Sequence, residues 1–161
     1  MALPHEKTYT VDDILALPEN VRAELIDGQI FYQAAPTNTH QRISGWLYLK
    51  IGNYINSHGG KCEVRFAPFA VFLNENNKNY LEPDLMVICD NSKITEEGCK
   101  GAPDLIIEIV SPSTRNMDYG KKMIKYLNAG VHEYWIVDRE KNMITVYDFI
   151  TQEYNLSLIH I

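Results

Sequence analysis

Two short apolar runs, each led by a Pro-Asp pair and closed by turn residues, set the limits within which this chain folds: LEPDLMVICD over Leu81–Asp90 and APDLIIEIVSPST over Ala102–Thr114. A short apolar run bounded by turn signals is the pattern of a strand covered on both faces. Both runs therefore belong at the centre of a sheet with layers on either side. The 161 residues provide for one such core, at about 100–200 residues per domain.

The remaining segments supply the layers. Thr10, with Asp13 three residues on and Ile14, Leu15 and Leu17 following, predicts a short leading helix stopped by Pro18. Asp27-Gly28 between two apolar runs is a hairpin signal, which puts Glu24 at or just before its first strand. From Thr39 to Ser57, Ile43, Leu47, Ile51, Tyr54 and Ile55 share one helical face, and His58-Gly59-Gly60 ends it. Two strands, Cys62–Phe66 and Phe69–Leu73, follow around Pro68, and the polar loop Asn74–Asn79 is expected to join antiparallel strands. A helix from about Asn116 to Ala129, with Met123, Ile124 and Leu127 inward and Gly130 just past its end, precedes two strands, VHEYWIVD and MITVYDF. This order predicts an α/β fold, a mixed central sheet flanked by helices.

Composition narrows the function. With 15 Lys plus Arg against 21 Asp plus Glu, the net charge is −6, which disfavours a protein that coats nucleic acid by charge alone. Arg115, Lys121, Lys122 and Lys125 are the candidates for a local phosphate-facing patch. No apolar run reaches signal-peptide length or the ~20 residues that span a bilayer, so the expectation is a cytoplasmic protein without membrane association. Cys62, Cys89 and Cys99 show no CxxC spacing, and buried reduced thiols are expected. The five histidines form no metal-binding motif; His40, early in the long helix, is expected at the surface or in capping.

Chemistry gathers on two carboxylates. Asp84 opens one central strand and Glu108 lies late in the next. If these strands are neighbours, the two can share one hard divalent cation, Mg²⁺ or Mn²⁺. Asp104 is a poorer partner, because four residues along one strand separate it from Glu108 by ~13 Å. Each residue also has a plainer reading. Asp84 could simply start a strand, Glu108 could sit in a buried salt bridge, Lys122 could lie on a solvated helix face beside Lys121 and Lys125, and Glu24 could be an exposed hairpin acid. Tyr134-Trp135 reads as packing.

The segments ELIDG (Glu24–Gly28), EPDLMV (Glu82–Val87), EIVSPSTRNMDYGKKMIKY (Glu108–Tyr126) and GVHEYWIVD (Gly130–Asp138) together resemble the PD-(D/E)xK restriction-endonuclease-like superfamily, and within it the "Uma-two" family of endonucleases. The resemblance implies a restriction-endonuclease-like fold and a metal-dependent phosphodiesterase acting on DNA. It implies Asp84, Glu108 and the backbone carbonyl of Ile109 as metal ligands, Glu24 as an accessory acid, and a homodimer as a plausible assembly. Val110 stands where the superfamily's usual lysine would be, and Lys122 from the following helix is the matching replacement. The competing reading is a catalytically inactive module that keeps the nuclease fold for binding. A small-molecule enzyme is disfavoured because no phosphate-cradling glycine loop or GxSxG is present.

The ending LSLIHI, Leu156–Ile161, is expected not to continue the strand at Tyr154. It reads as an in-frame translation of a transposon-end adapter. The expectation is one nuclease domain over 1–155, truncated at its C-terminus, with 156–161 a non-native tail; genome sequence across that junction tests it.

Overall fold

The computed structural model describes residues 7–73 and 76–158. Its centre is a six-stranded sheet built from β3 (Glu63–Phe66), β5 (Leu85–Ile88), β7 (Leu105–Val110), β8 (Glu133–Asp138), β9 (Met143–Asp148) and β10 (Glu153–Leu158). The spatial order is β10-β9-β8-β7-β5-β3, and every neighbouring pair is antiparallel except β7–β8. A parallel pair requires a crossover. Here it contains a π-helical turn, Met117–Lys122, continued by α3, Met123–Ala129, which Gly130 ends in the left-handed conformation.

The two predicted central runs are β5 and β7, and they are direct neighbours. Alternation along β7 sends Ile107 and Ile109 to one face, where Ile43 and Leu47 of α2 (Asn38–Ser57) pack with Leu85 and Val137. Ile106 and Val110 point to the other face, into a core with Met86, Tyr126, Tyr134 and Ile136. Glu108 shares this second face, beneath the crossover helix. The α/β sandwich about a mixed sheet is as the sequence predicts. Among the described residues no helix is long and apolar enough to cross a membrane.

The leading helix α1 (Val11–Leu15) and the hairpin β1 (Ala23–Ile26) and β2 (Gln29–Tyr32) also form where expected. Asp13 accepts from the backbone N–H and hydroxyl of Thr10. The hairpin turn needs its glycine: Gly28 has φ +76°, and a Cβ there would lie 2.3 Å from Thr8 Cγ2 and 3.1 Å from the Tyr9 carbonyl oxygen. Gly28→Ala is expected to destabilise the fold by about 1–2 kcal/mol, the cost of a side chain in left-handed backbone, as read by urea unfolding. A loss near zero would show that the turn relaxes freely.

Four expectations are corrected. Phe69–Leu73 contains β4 (Ala70–Phe72), which meets Leu81 only through a single antiparallel bridge from Val71 and pairs in parallel with β6 (Gly98–Lys100), a strand too short to carry a periodic signal. The loop's Asn74 and Glu75 lie outside the described residues. Cys62 and Cys89 form a disulfide rather than free thiols. The antiparallel register that pairs Glu63 with Ile88 places these flanking residues opposite one another, which spacing in the chain does not reveal. Cys99 is a free, buried thiol, and burial pushes its pKa up to about 11.

On the crossover helix, Ile124 and Leu127 are about half exposed, while Asp118, Lys122 and Tyr126 are buried. Met117 and Met123, the latter inward as expected, pack against the core beside Tyr126, while Lys122 and the Tyr126 hydroxyl on the same side serve Glu108. The ending also departs from expectation, since β10 continues through Leu158, with Leu156 opposite Thr145 and Ser157 opposite Ile144. Residues 159–161 lie outside the described residues.

Candidate active site

The β5–β7 register pairs Leu85 with Ile107. Antiparallel strands then bring Asp84, one residue before β5, beside Glu108. Asp84 Oδ2 accepts the Ile109 backbone N–H at 2.7 Å and lies 3.1 Å from His40 Nε2. Glu108 Oε1 accepts from Lys122 Nζ at 3.0 Å and from the Tyr126 hydroxyl at 2.9 Å.

Glu24 arrives from the hairpin. Its strand is anchored by reciprocal backbone hydrogen bonds between Leu25 and Tyr80, at 2.7 and 2.9 Å. Glu24 Oε1 accepts the Glu82 backbone N–H at 2.9 Å and Oε2 lies 2.8 Å from Lys122 Nζ. Asp118, one turn before Lys122, lies 3.7 Å from the same ammonium. Behind Glu82, Arg22 and Tyr80 hold its carboxylate at 2.6 and 3.1 Å, fixing the segment that leads into Asp84.

Glu24, Glu108, Asp118 and Lys122 are each no more than 5% exposed. One ammonium therefore faces three buried carboxylates, with Asp84 close behind. The electrostatics follow from that imbalance. Burial pushes the Glu108 pKa well above the usual carboxylate range; Lys122 opposes the shift, and the Asp118, Asp84 and Glu24 charges add to it. Asp118 is pushed up to about 6, by burial first, against the pull of Lys122 and a Thr114 hydrogen bond. Burial disfavours the charge on Lys122, but Glu108, Glu24 and Asp118 outweigh it and hold the pKa well above that of a free lysine. The Asp84 hydrogen bond raises the His40 pKa against the effect of burial.

Among the described residues no three His, Cys, Asp or Glu side chains converge on one chelating centre. Asp84 and Glu108 nonetheless offer hard oxygen donors, each with one oxygen held by protein donors. Mg²⁺ is ordinarily bound by one or two carboxylates, with water and phosphate completing its shell. The donor chemistry and the excess of buried negative charge fit a hard divalent cation.

The structure thus brings Asp84, Glu108, Glu24, Lys122 and the Ile109 peptide together. Lys122 is not on a solvated face, and Glu24 is not an exposed hairpin acid. Asp104 sits elsewhere, accepting the Cys89 N–H at 2.8 Å. His40 and Tyr126 are the participants that the sequence reading missed. Tyr126 had a signal in the 118, 122, 126 spacing; His40 had none, because its partner lies 44 residues away.

The expected four-residue phosphate-facing patch does not form. Arg115 is spent on Asp138 and Glu140, Lys125 pairs with Asp27, and Lys122 is buried. Lys121 lies over the Phe31 ring, 5.3 Å from its centroid.

Known proteins share this arrangement of elements. The crystal structure of "a putative nuclease belonging to DUF820" from Anabaena variabilis ATCC 29413 superimposes with a TM-score of 0.75 at 23% identity, covering 92% of this chain and 84% of that one. Two uncharacterized proteins of Synechocystis sp. (strain ATCC 27184 / PCC 6803 / Kazusa) are also similar. The chain is 30% identical to slr1290 over 125 residues, 77% of this chain and 64% of that protein. It is 26% identical to sll1609 over 148 residues, 86% of this chain and 80% of that protein. The chain thus spans just under two thirds of slr1290. The Uma2 family model, described as "Putative restriction endonuclease", matches residues 11–160. That span takes in the hairpin acid, both central strands and the crossover helix, and the chain belongs to the Uma2 family.

Proposed function

We propose that this protein is a Mg²⁺- or Mn²⁺-dependent endonuclease that hydrolyses DNA phosphodiester bonds. The observation that carries the reading is the meeting of Asp84 and Glu108, on adjacent strands, at a buried cluster with more carboxylates than cations. In this reading Asp84, Glu108 and the Ile109 carbonyl hold the cation. The bound cation would activate a water and offset charge on the phosphate.

The chain's own groups set the geometry. Lys122 and Tyr126 pin one oxygen of Glu108, leaving the other for the ligand. Glu24 fixes the far side of the ammonium and, through the Glu82 N–H, the approach to Asp84. The superfamily lysine absent at Val110 is replaced from the helix: Val110 lies in the apolar core, and the Lys122 ammonium reaches Glu108 from the crossover. Burial of Lys122 makes its role that of holding Glu108 and Glu24, with any contact to phosphate requiring the site to open.

Cleavage of supercoiled plasmid with Mg²⁺ or Mn²⁺ tests the reading. Nicking should require the metal, stop with EDTA, and fall at least about 100-fold in Asp84→Ala and Glu108→Ala preparations that fold. A folded wild-type chain that neither cuts nor binds Mn²⁺ would instead make this a binding module that keeps the nuclease fold. Sedimentation with and without DNA tests the homodimer that the resemblance implies.

A further inference from the structure

We infer that His40 is a positioning residue for Asp84: its Nε2–H holds Oδ2, so that Oδ1 is the oxygen presented toward the metal position beside Glu108. This rests on the metal-nuclease reading for its purpose, but the contact stands on its own geometry.

Three observations carry it. Among the described residues, both hydrogen-bond contacts to the Asp84 carboxylate fall on the same oxygen, since Oδ2 accepts from the Ile109 N–H at 2.7 Å and faces His40 Nε2 at 3.1 Å. A carboxylate oxygen already accepting a backbone N–H is an acceptor, so the ring nitrogen opposite it carries the proton. Two donors arriving from different elements, one from β7 and one from α2, fix the rotation of the carboxylate.

His40 is itself held in place. It lies in the first turn of α2, where the Thr37 hydroxyl accepts its backbone N–H at 3.2 Å, and Ile43 anchors the next turn in the core. The third observation separates positioning from packing. Among the described residues, the buried His40 Nδ1 has no hydrogen-bond partner. A buried polar atom without a partner is costly, so a ring kept only for packing would be better replaced by an apolar one. Coordination through Nε2 would cost the Asp84 contact, and coordination through Nδ1 would show as directly coordinated ¹⁴N. The ring's polar engagement is with Asp84 first and with the Ile109 backbone beside it.

The test has a metal-free arm and a metal arm. In wild-type protein without metal, long-range ¹H–¹⁵N NMR should show His40 Nε2 protonated, with its resonance displaced in Asp84→Ala. An unprotonated Nε2, or one indifferent to Asp84→Ala, overturns the inference. In the metal arm, Mn²⁺ binding followed by electron paramagnetic resonance should weaken about 10–100-fold in His40→Ala, the usual cost of losing an outer partner of a metal ligand. His40→Gln, which restores an N–H donor at similar reach, should recover most of that loss, and in an Asp84→Ala background His40→Ala should add nothing. Mn²⁺ affinity unchanged in a folded His40→Ala protein overturns the inference, as does directly coordinated ¹⁴N in the pulsed spectrum, which would make His40 a ligand. If wild type binds no Mn²⁺, the metal reading fails, and the NMR arm alone upholds or overturns the positioning contact.

Discussion

Exchanging Glu108 for glutamine should reduce metal-dependent cleavage about 10³-fold while changing folding stability by less than about 1 kcal/mol. The two effects separate because the substitution keeps the shape and removes the charge. A glutamine oxygen can still accept from Lys122 and Tyr126 at 3.0 and 2.9 Å, so no buried donor is orphaned. Burial already pushes the Glu108 pKa well up, so the charge is not what holds the fold together. A divalent cation contributes several kcal/mol of charge stabilisation to a reaction of this kind, and about 4 kcal/mol corresponds to about 10³ in rate. Plasmid-nicking rates and urea unfolding of the same preparation check both halves. Cleavage within tenfold of wild type would remove Glu108 from the metal site.

Lys122→Met should have the opposite balance, lowering stability at pH 7 by about 3–5 kcal/mol, the usual consequence of breaking a buried ion pair from one side. The ammonium is the common partner of Glu24, Glu108 and Asp118, all buried. Its loss leaves Glu108 and Asp118 with folded pKa values above their unfolded ones, Asp118 already at about 6 in the intact site. Such a group penalises the folded state fully above its folded pKa and not at all below its unfolded pKa. The deficit relative to wild type should therefore shrink as the pH falls from 7 toward 4. Urea unfolding at pH 7 and pH 5 reads this directly; a deficit that ignores pH would mean that Lys122 matters through packing of its stem.

Where the sequence carried a local signal, the architecture was legible. The Asp27-Gly28 turn, the apolar stripe of α2 and the two central runs need only neighbours a few residues away to declare themselves, and each forms as read. Features created by long-range register were not legible. The three-residue β6 exists because β4 lies alongside it, and the Cys62–Cys89 bond follows from how β3 meets β5. The crossover helix misled for a different reason. Apolar Ile124 and Leu127 were assigned inward by hydropathy, but the π-helical turn and the four-residue polar stripe turn Lys122 and Tyr126 inward instead. Parity and spacing made Asp84 and Glu108 candidates. Lys122 stood out only through resemblance, and His40 became visible only once α2 had been laid across the sheet.

The salt bridges that close the site also time its appearance. Lys125 and Asp27 are 98 residues apart, and Lys122 lies at the same span from Glu24. At a synthesis rate of about 5–20 residues per second, the hairpin acid waits roughly 5–20 s for its lysine to emerge from the ribosome. Until then its carboxylate has no cation to be buried with and stays in water. A nascent chain therefore has no assembled centre, and a protein whose proposed chemistry cuts DNA becomes competent only after its crossover helix has been made.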